Sequence, residues 1–317
     1  GSSSDGRSKS VYAPVPAGQA KALARAYELA GYGPGTVELV EAHGTGTKAG
    51  DVAEFEGLRL VFDAAGRTDR QWCALGSVKS QIGHAKAAAG AAGLFKAIMA
   101  LHHGVLPPTI KVDAPNPKLG LEESPFYLST KARPWVRDAR HPRRASVSAF
   151  GFGGSNFHVA LEEYRGPAPR AERFRSHAKE MVVVCGDDAA EVVAKARALA
   201  HDGAGGRGTG GLARLARESQ EAYRAEAPAR LAVLAADEAG LAAALLEAAR
   251  RIEAAPGESF ALPDGTAYGA GRGEGGLAFL FPGQGSQYVG MGADLAMAFA
   301  PALAAWDRAA DLDLEAG

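Results

Sequence analysis

Scarcity narrows this sequence first. Among 317 residues there are two cysteines, Cys73 and Cys185, far apart and in no metal-ligand pair. That rules out a disulfide scaffold and fits a reducing, cytoplasmic setting. No apolar run approaches the roughly 18 residues that cross a bilayer, so no membrane partner is expected. A surplus of either charge is missing too: 35 Lys and Arg stand against 36 Asp and Glu, a net charge of −1. Such a balance argues against a nucleic-acid partner. His-Glu-x-x-His and paired-cysteine patterns are lacking, so no metal site is expected. Gly271–Gly276 spells G-x-G-x-x-G but precedes a predicted strand instead of joining strand to helix, which excludes a dinucleotide site. What is present is ordinary for a globular protein, 47% hydrophobic and 22% charged, enough for one to three domains.

Up to residue 164 the pattern alternates helix and strand, an α/β signature. Helices are predicted at Ala20–Ala30 (capped by Gly31), Val52–Phe62 and Ala85–Leu101, the last unusually rich in Ala and Gly. Strands are predicted at Val37–Ala42, Cys73–Ser77, Ala145–Ser148 and Phe157–Glu162. The proline-rich stretch Pro107–Pro134 should run extended over the surface. Composition shifts at Gly166–Arg175, a boundary. A smaller α/β module follows: strands Met181–Cys185 and Leu231–Ala235, helices Ala189–Ala200 and Ala239–Ile252, and a flexible Gly203–Gly211 loop. A third unit opens with a strand at Leu277–Phe281 and stops after one helical stretch. Domains are therefore expected at 1–164, 165–275 and 276–317.

Three segments of the first domain carry chemistry. Glu41–Asp51 reads E-A-H-G-T-G-T-K-A-G-D, with His43 at the end of a strand, where α/β proteins build their sites. Thr45 and Thr47 offer hydroxyls from the same loop. Gly76–Gly90 reads G-S-V-K-S-Q-I-G-H-A-K-A-A-A-G. It places His84 at the expected start of the small-residue helix, where the helix dipole disfavours imidazolium, with Lys79 just before it. Phe150–His158 reads F-G-F-G-G-S-N-F-H, a turn whose backbone N–H groups can face a ligand around Phe152. Each alone is also compatible with a structural turn or a core side chain.

In this order, H-G-T-G-T, then K-x-x-x-G-H, then G-F-G-G-S-N, the segments resemble the β-ketoacyl synthases of the thiolase-like superfamily. The resemblance covers residues 1–164. Its wording is nearest the polyunsaturated-fatty-acid synthases, with type I polyketide synthases close behind. It implies a thiolase-like layered α/β/α/β/α fold, of which this chain is the C-terminal half, followed by a small α/β linker and the first strand of an acyltransferase. It also implies decarboxylative Claisen condensation. An acyl chain passes to a cysteine thiolate, malonyl on a carrier loses CO2, and the enolate attacks the acyl thioester. By this resemblance His43 and His84 hold the thioester oxygen as it becomes an enolate, each such donor lowering the barrier by about 3–4 kcal/mol. Lys79 sets the field around His84, with Glu54 as its carboxylate partner. Thr45 and Thr47 bind the phosphopantetheine arm. The Phe152 N–H completes an oxyanion hole while its ring gates the acyl pocket. No cofactor is bound by the region itself, since phosphopantetheine travels on the acyl carrier protein. The expected partners are that carrier, malonyl and acyl thioesters, the N-terminal half of the synthase, and a second copy in a homodimer.

Leu277–Met291, L-A-F-L-F-P-G-Q-G-S-Q-Y-V-G-M, resembles the opening of the malonyl/acyl-carrier acyltransferases, with the Gln284 N–H as one oxyanion-hole donor. No G-x-S-x-G elbow follows. The family's D-T-A-C-S-S-like nucleophile elbow is missing as well, and Cys73 and Cys185 read as structural. Gly1 is accordingly read as an internal position of a longer protein, and the chain alone as inactive. Two other readings stay open: a non-catalytic, chain-length-factor-like structural partner of the same fold, and a biosynthetic thiolase, which the motifs disfavour. The basic run Arg133–Arg144 is either a solvated loop or a dock for an acidic carrier protein.

Overall fold

A computed structural model describes residues 1–6, 13–167, 178–203, 210–271, 276 and 278–310. It divides into two compact units, 1–173 with 287–317, and 174–286.

The first unit reads, in chain order, β1 (Ser2–Ser4), α1 (Pro16–Ala30), β2 (Leu39–Glu41), α2 (Gly50–Phe62), β3 (Cys73–Gly76), the single turn α3 (Lys79–Ile82), α4 (Ala89–His103), β4 (Val105–Leu106), β5 (Phe126–Leu128), β6 (Arg133–Pro134), β7 (Arg144–Gly151) and β8 (Ser155–Glu162). Six strands form one sheet in the order β1-β8-β7-β2-β3-β5, and β4 pairs with β6 apart from it. Strands β7, β2, β3 and β5 are mutually parallel, so their C-terminal ends share one edge. Strand β8 returns antiparallel to β7 through a tight hairpin.

Alternation along the strands sends side chains to both faces. Val40, Cys73 and Leu75 pack with Leu23, Tyr27, Phe55, Leu58 and Phe62 of α1 and α2. Leu39, Ala74, Ala145 and Val147 pack on the other face with Ala97, Ala100 and Leu101 of α4. The result is a three-layer α/β/α stack. The small-residue helix lies close to the sheet: a β-carbon added to Gly93 would stand 3.0 Å from Glu41 Cγ and 3.3 Å from Val147 Cγ1.

The proline-rich stretch is not extended throughout. It contributes β5 to the main sheet, because Phe126 is wholly buried against Phe55 and Phe62. The first residues form β1, an edge strand on β8.

The second unit contains β9 (Glu180–Gly186), α5 (Ala189–Gly203), α6 (Gly211–Glu221), β10 (Ala229–Ala235), α7 (Glu238–Ala254), β11 (Phe260–Ala261) and β12 (Ala267–Ala270). Its antiparallel sheet runs β11-β12-β10-β9. One face buries Val182, Val184, Leu231 and Val233 against Val192, Leu241, Leu245 and Ile252 of α5 and α7. Most of the expected Gly203–Gly211 loop lies outside the described residues.

The strand expected at Leu277–Phe281 is corrected. Leu277 lies outside the described residues, and Ala278–Phe281 carries no strand. A strand needs a hydrogen-bonded neighbour, and none of the described strands pairs with it, so Phe279, Leu280 and Phe281 stand exposed. Two helices follow, α8 (Ala293–Ala298) and α9 (Ala300–Ala309). They belong to the first unit, where Asp307 on α9 pairs with Arg143 at 2.6 Å.

Candidate active site

The shared strand edge gathers the three sequence segments. His43 follows β2, Lys79 and His84 follow β3, and Phe150 to Phe152 close β7. The His43 and His84 rings meet edge to face, with centroids 5.5 Å apart and planes at 87°. Phe150 flanks His43 at 5.8 Å. Gly44 makes the close approach possible. Its φ is +44°, and a β-carbon there would stand 2.8 Å from Ser77 Cβ on the neighbouring loop.

Burial pushes the His43 pKa down to about 4, with the Lys79 charge and then His84 adding to the effect. Its imidazole is therefore neutral near pH 7. Its Nδ1 is buried without a hydrogen-bond partner among the described residues. A buried orphan of this kind costs about 1–3 kcal/mol, a cost that a bound oxygen or water would remove. His84 is held differently. It does not start the small-residue helix as expected, because α4 begins at Ala89 after a 3-10 turn at Lys86–Ala88. Its Nδ1 accepts the Lys86 N–H at 3.0 Å, so the proton of a neutral ring sits on Nε2. Neutrality at this site thus comes from desolvation of His43, where the sequence had suggested a helix dipole at His84.

Glu54 is buried on α2, and its two oxygens accept the backbone N–H groups of His43 at 2.7 Å and Gly44 at 2.8 Å. Burial raises its pKa to about 7, against the pull of those two N–H groups. No ion pair joins it to Lys79 among the described residues. Its hydrogen bonds are spent on the His43 loop, and Lys79 feels its charge only through space. Lys79 is half-buried; desolvation lowers its pKa while Glu41 and Glu54 oppose that shift.

The Thr45 and Thr47 hydroxyls lie 3.1 Å apart on the exposed rim of the loop, and Thr47 Oγ1 accepts the Gly50 N–H. Phe152 sits at the β7–β8 turn, 83% exposed. The turn is fixed from below by Asn156, which donates to Asp5 at 2.6 Å. Gln284 lies in an exposed turn of the second unit. Cys73 is fully buried on β3, and desolvation raises its pKa well above the ordinary thiol range. No cluster of three or more potential metal-ligating side chains occurs among the described residues.

The basic run is not an open patch. Arg143 is buried and bridges Glu163 and Asp307, Arg144 pairs with Glu162 and stacks over Tyr32, and Arg140 pairs with Asp138. Three of its five guanidinium groups pair with carboxylates, which lowers the net positive charge the run presents. Sequence reasoning quoted Glu41 as the first letter of a motif and gave it no role, and it passed over Lys96. The structure places both buried beside the site.

Comparison with known proteins identifies the family. Residues 1–113 match the family model for the β-ketoacyl synthase C-terminal domain, and 115–224 match that for the ketoacyl-synthetase C-terminal extension. This is a ketosynthase C-terminal region. It is 46% identical over 202 residues to a polyunsaturated fatty acid synthase chain of Thraustochytrium sp., covering 62% of this chain and 7% of that protein. It is 38% identical over 299 residues to a phenolphthiocerol/phthiocerol polyketide synthase chain of Mycobacterium tuberculosis, covering 90% of this chain and 19% of the relative. Among solved structures, the ketosynthase from module 6 of the bacillaene synthase of Bacillus subtilis superposes with a TM-score of 0.50 at 34% identity, over 80% of this chain and 42% of that one. Ketosynthase twelve of the bacillaene polyketide synthase of Bacillus amyloliquefaciens gives 0.50 at 32% identity, over 79% and 43%. The ketosynthase region therefore has the thiolase-like α/β fold, and the chain spans less than half the length of each of these relatives.

Proposed function

We propose that the chain supplies the decarboxylation half of a condensing site in a polyketide or polyunsaturated-fatty-acid synthase. The observation that carries the reading is the pair of imidazoles 5.5 Å apart at the C-terminal edge of parallel strands, one of them desolvated to neutrality. When a malonyl thioester loses CO2, the electron pair of the broken C–C bond delocalises onto the thioester oxygen. An N–H donor from each ring, directed at that oxygen, would stabilise the charge. The enolate carbon then attacks the carbonyl carbon of an acyl thioester; the new C–C bond forms, the C–S bond breaks and the thiolate leaves without its acyl group. Buried Cys73 and Cys185 are unsuited to carry that acyl group, and we read the nucleophile as lying outside these residues. Lys79 holds positive charge beside His84. The exposed Thr45 and Thr47 hydroxyls suit a phosphopantetheine arm delivered by an acyl carrier protein. The Phe152 N–H and ring serve the acyl side. In the same reading 1–164 is the synthase part, 165–275 the linker and 276–317 the start of an acyltransferase with Gln284 as a donor. The whole acts as a homodimer. Malonyl-carrier decarboxylation by the intact synthase tests this. His43→Ala and His84→Ala should each lower kcat by about 100-fold or more, in the range of a lost oxyanion donor. Parent rates in both variants would sink the proposal.

A further inference from the structure

Glu41 and Lys96 form an ion pair almost closed to solvent. Their side chains are 1% and 8% exposed, and Lys96 Nζ lies 2.9 Å from Glu41 Oε2. The contact lies off the axis of a directed hydrogen bond, so the attraction between the charges holds it. The other carboxylate oxygen, Oε1, accepts the Val78 N–H at 2.5 Å. A buried ion pair is weak evidence for a gain in stability, because desolvating both charges offsets their attraction. Its placement is more informative. Glu41 ends β2, two residues before His43. Val78 directly precedes Lys79. Lys96 lies on α4, the helix that follows the His84 loop. Gly93 provides the room, since a β-carbon there would press on Glu41 Cγ. Glu54 holds the His43 loop from α2 on one face of the sheet, and Glu41 holds the Lys79–His84 loop from β2 with its counter-ion on the opposite face.

We infer that Glu41, charge-balanced by Lys96 and seated over Gly93, is a positioning residue that sets the Val78–Lys79 turn, and with it Lys79 and His84, against His43. This rests on the reading of the site given above. Glu41 touches no reacting atom; it acts through the Val78 N–H. Two requirements then separate. The charge of Glu41 is needed only because Lys96 is buried beside it, and the acceptor is needed for the turn.

Paired substitutions in the intact synthase divide them. Glu41→Leu with Lys96→Met removes both charges and the acceptor, so it should fold with a Tm close to the parent. Its kcat for malonyl-carrier decarboxylation should fall at least 10-fold, with KM for the carrier within about 2-fold, because an unmade acceptor bond misplaces catalytic groups without altering the docking surface. Glu41→Gln with Lys96→Met keeps an acceptor oxygen and should recover most of that loss. In the 317-residue chain itself, amide hydrogen exchange at Val78 and Lys79 should rise at least 10-fold in the leucine pair and stay near parent in the glutamine pair. This readout requires no activity and so stands apart from the histidine variants that test the reaction. A folded leucine pair with parent kcat, or with unchanged exchange at Val78, would overturn the inference. So would a glutamine pair as slow as the leucine pair.

Discussion

The two units of this chain bury different kinds of side chain. The first buries Glu41, Glu54, Lys96, Arg143 and Asn156, each with the partner given above, and His158, whose ring lies between the Ser148 and Tyr27 hydroxyls, whereas Thr266 is the one buried polar residue described in the second. In the second unit charges meet on the surface, as in Arg197–Glu253, where both side chains are 47% exposed. Both units bury apolar strands under helices, so the hydrophobic effect accounts for either fold. Only the first takes on the desolvation cost of buried charge, with Glu41, Lys96 and Glu54 near the C-terminal ends of the parallel strands and Arg143 at the opposite end of β7. Among the described residues, buried polarity separates the two units where their apolar cores do not.

Removing buried charge should therefore hurt the first unit far more than removing surface charge hurts the second. Arg143 donates to Glu163, Asp307 and the Trp135 carbonyl. Arg143→Ala strands two carboxylates and should cost about 3–5 kcal/mol. Arg197→Ala should cost less than about 1 kcal/mol, the range of an exposed pair. All three tryptophans, Trp72, Trp135 and Trp306, lie in the first unit, so denaturation followed by their fluorescence reads that unit. Far-ultraviolet circular dichroism reads both. Equal losses for the two arginines would erase the contrast.

Glu54→Gln is the next largest. It turns one of two acceptor oxygens into a donor facing a backbone N–H and should cost about 1–3 kcal/mol. Amide exchange at His43 and Gly44 should rise with it. The matching change in the second unit is Asp237→Ala, since Asp237 caps α7 by accepting the Gly240 N–H at 2.7 Å. Loss of that cap should cost about 1 kcal/mol, confined to the helix. An Asp237 effect larger than the Glu54 effect would mean that the local cap outweighs the buried carboxylate.

The alternation of helices and strands, the order of the motifs and the strand-end position of His43 could be read from the residues, because apolar periodicity and glycine-rich strand ends are local signals; the helix start expected at His84 lies instead at Ala89. The strand at Phe126–Leu128 could not. It lies among prolines, and its place in the sheet depends on Phe55 and Phe62, far away in sequence. Arg143 read as a surface cation because nothing local announces Glu163 or Asp307. Glu54 was noticed, but its hydrogen bonds go to the His43 and Gly44 amides, and a side chain's preference for nearby backbone over a distant lysine is a property of three-dimensional placement. Glu41 lay in plain view beside His43 and drew no attention, since only its burial distinguishes it. The continuous apolar run at Leu277–Phe281 predicted a strand for which the described residues supply no partner.

A pH dependence divides the units by sign. Burial raises Glu38 from 4.5 to about 7, against the hydrogen bond from Trp135. As pH falls from 7 to 4.5, the folded chain takes up that proton before the unfolded chain does, so this group favours folding increasingly on acidification and opposes it above 7. Exposed Glu191 in the second unit behaves oppositely. The hydrogen bond from Lys195 lowers its pKa, so its small contribution is present above 4.5 and is lost as pH falls through the lowered value. Glu38→Gln should therefore gain on the parent at neutral pH and forfeit that gain by about pH 4.5. Glu191→Gln should lose slightly at neutral pH and draw level in acid. Denaturation midpoints of parent and variants between about pH 7 and 4.5, with tryptophan fluorescence for Glu38 and circular dichroism for Glu191, give the two slopes. Slopes of the same sign would show that the Glu38 carboxyl is solvated in the folded chain, and the distinction between a unit that buries charge and one that does not would fail at that residue.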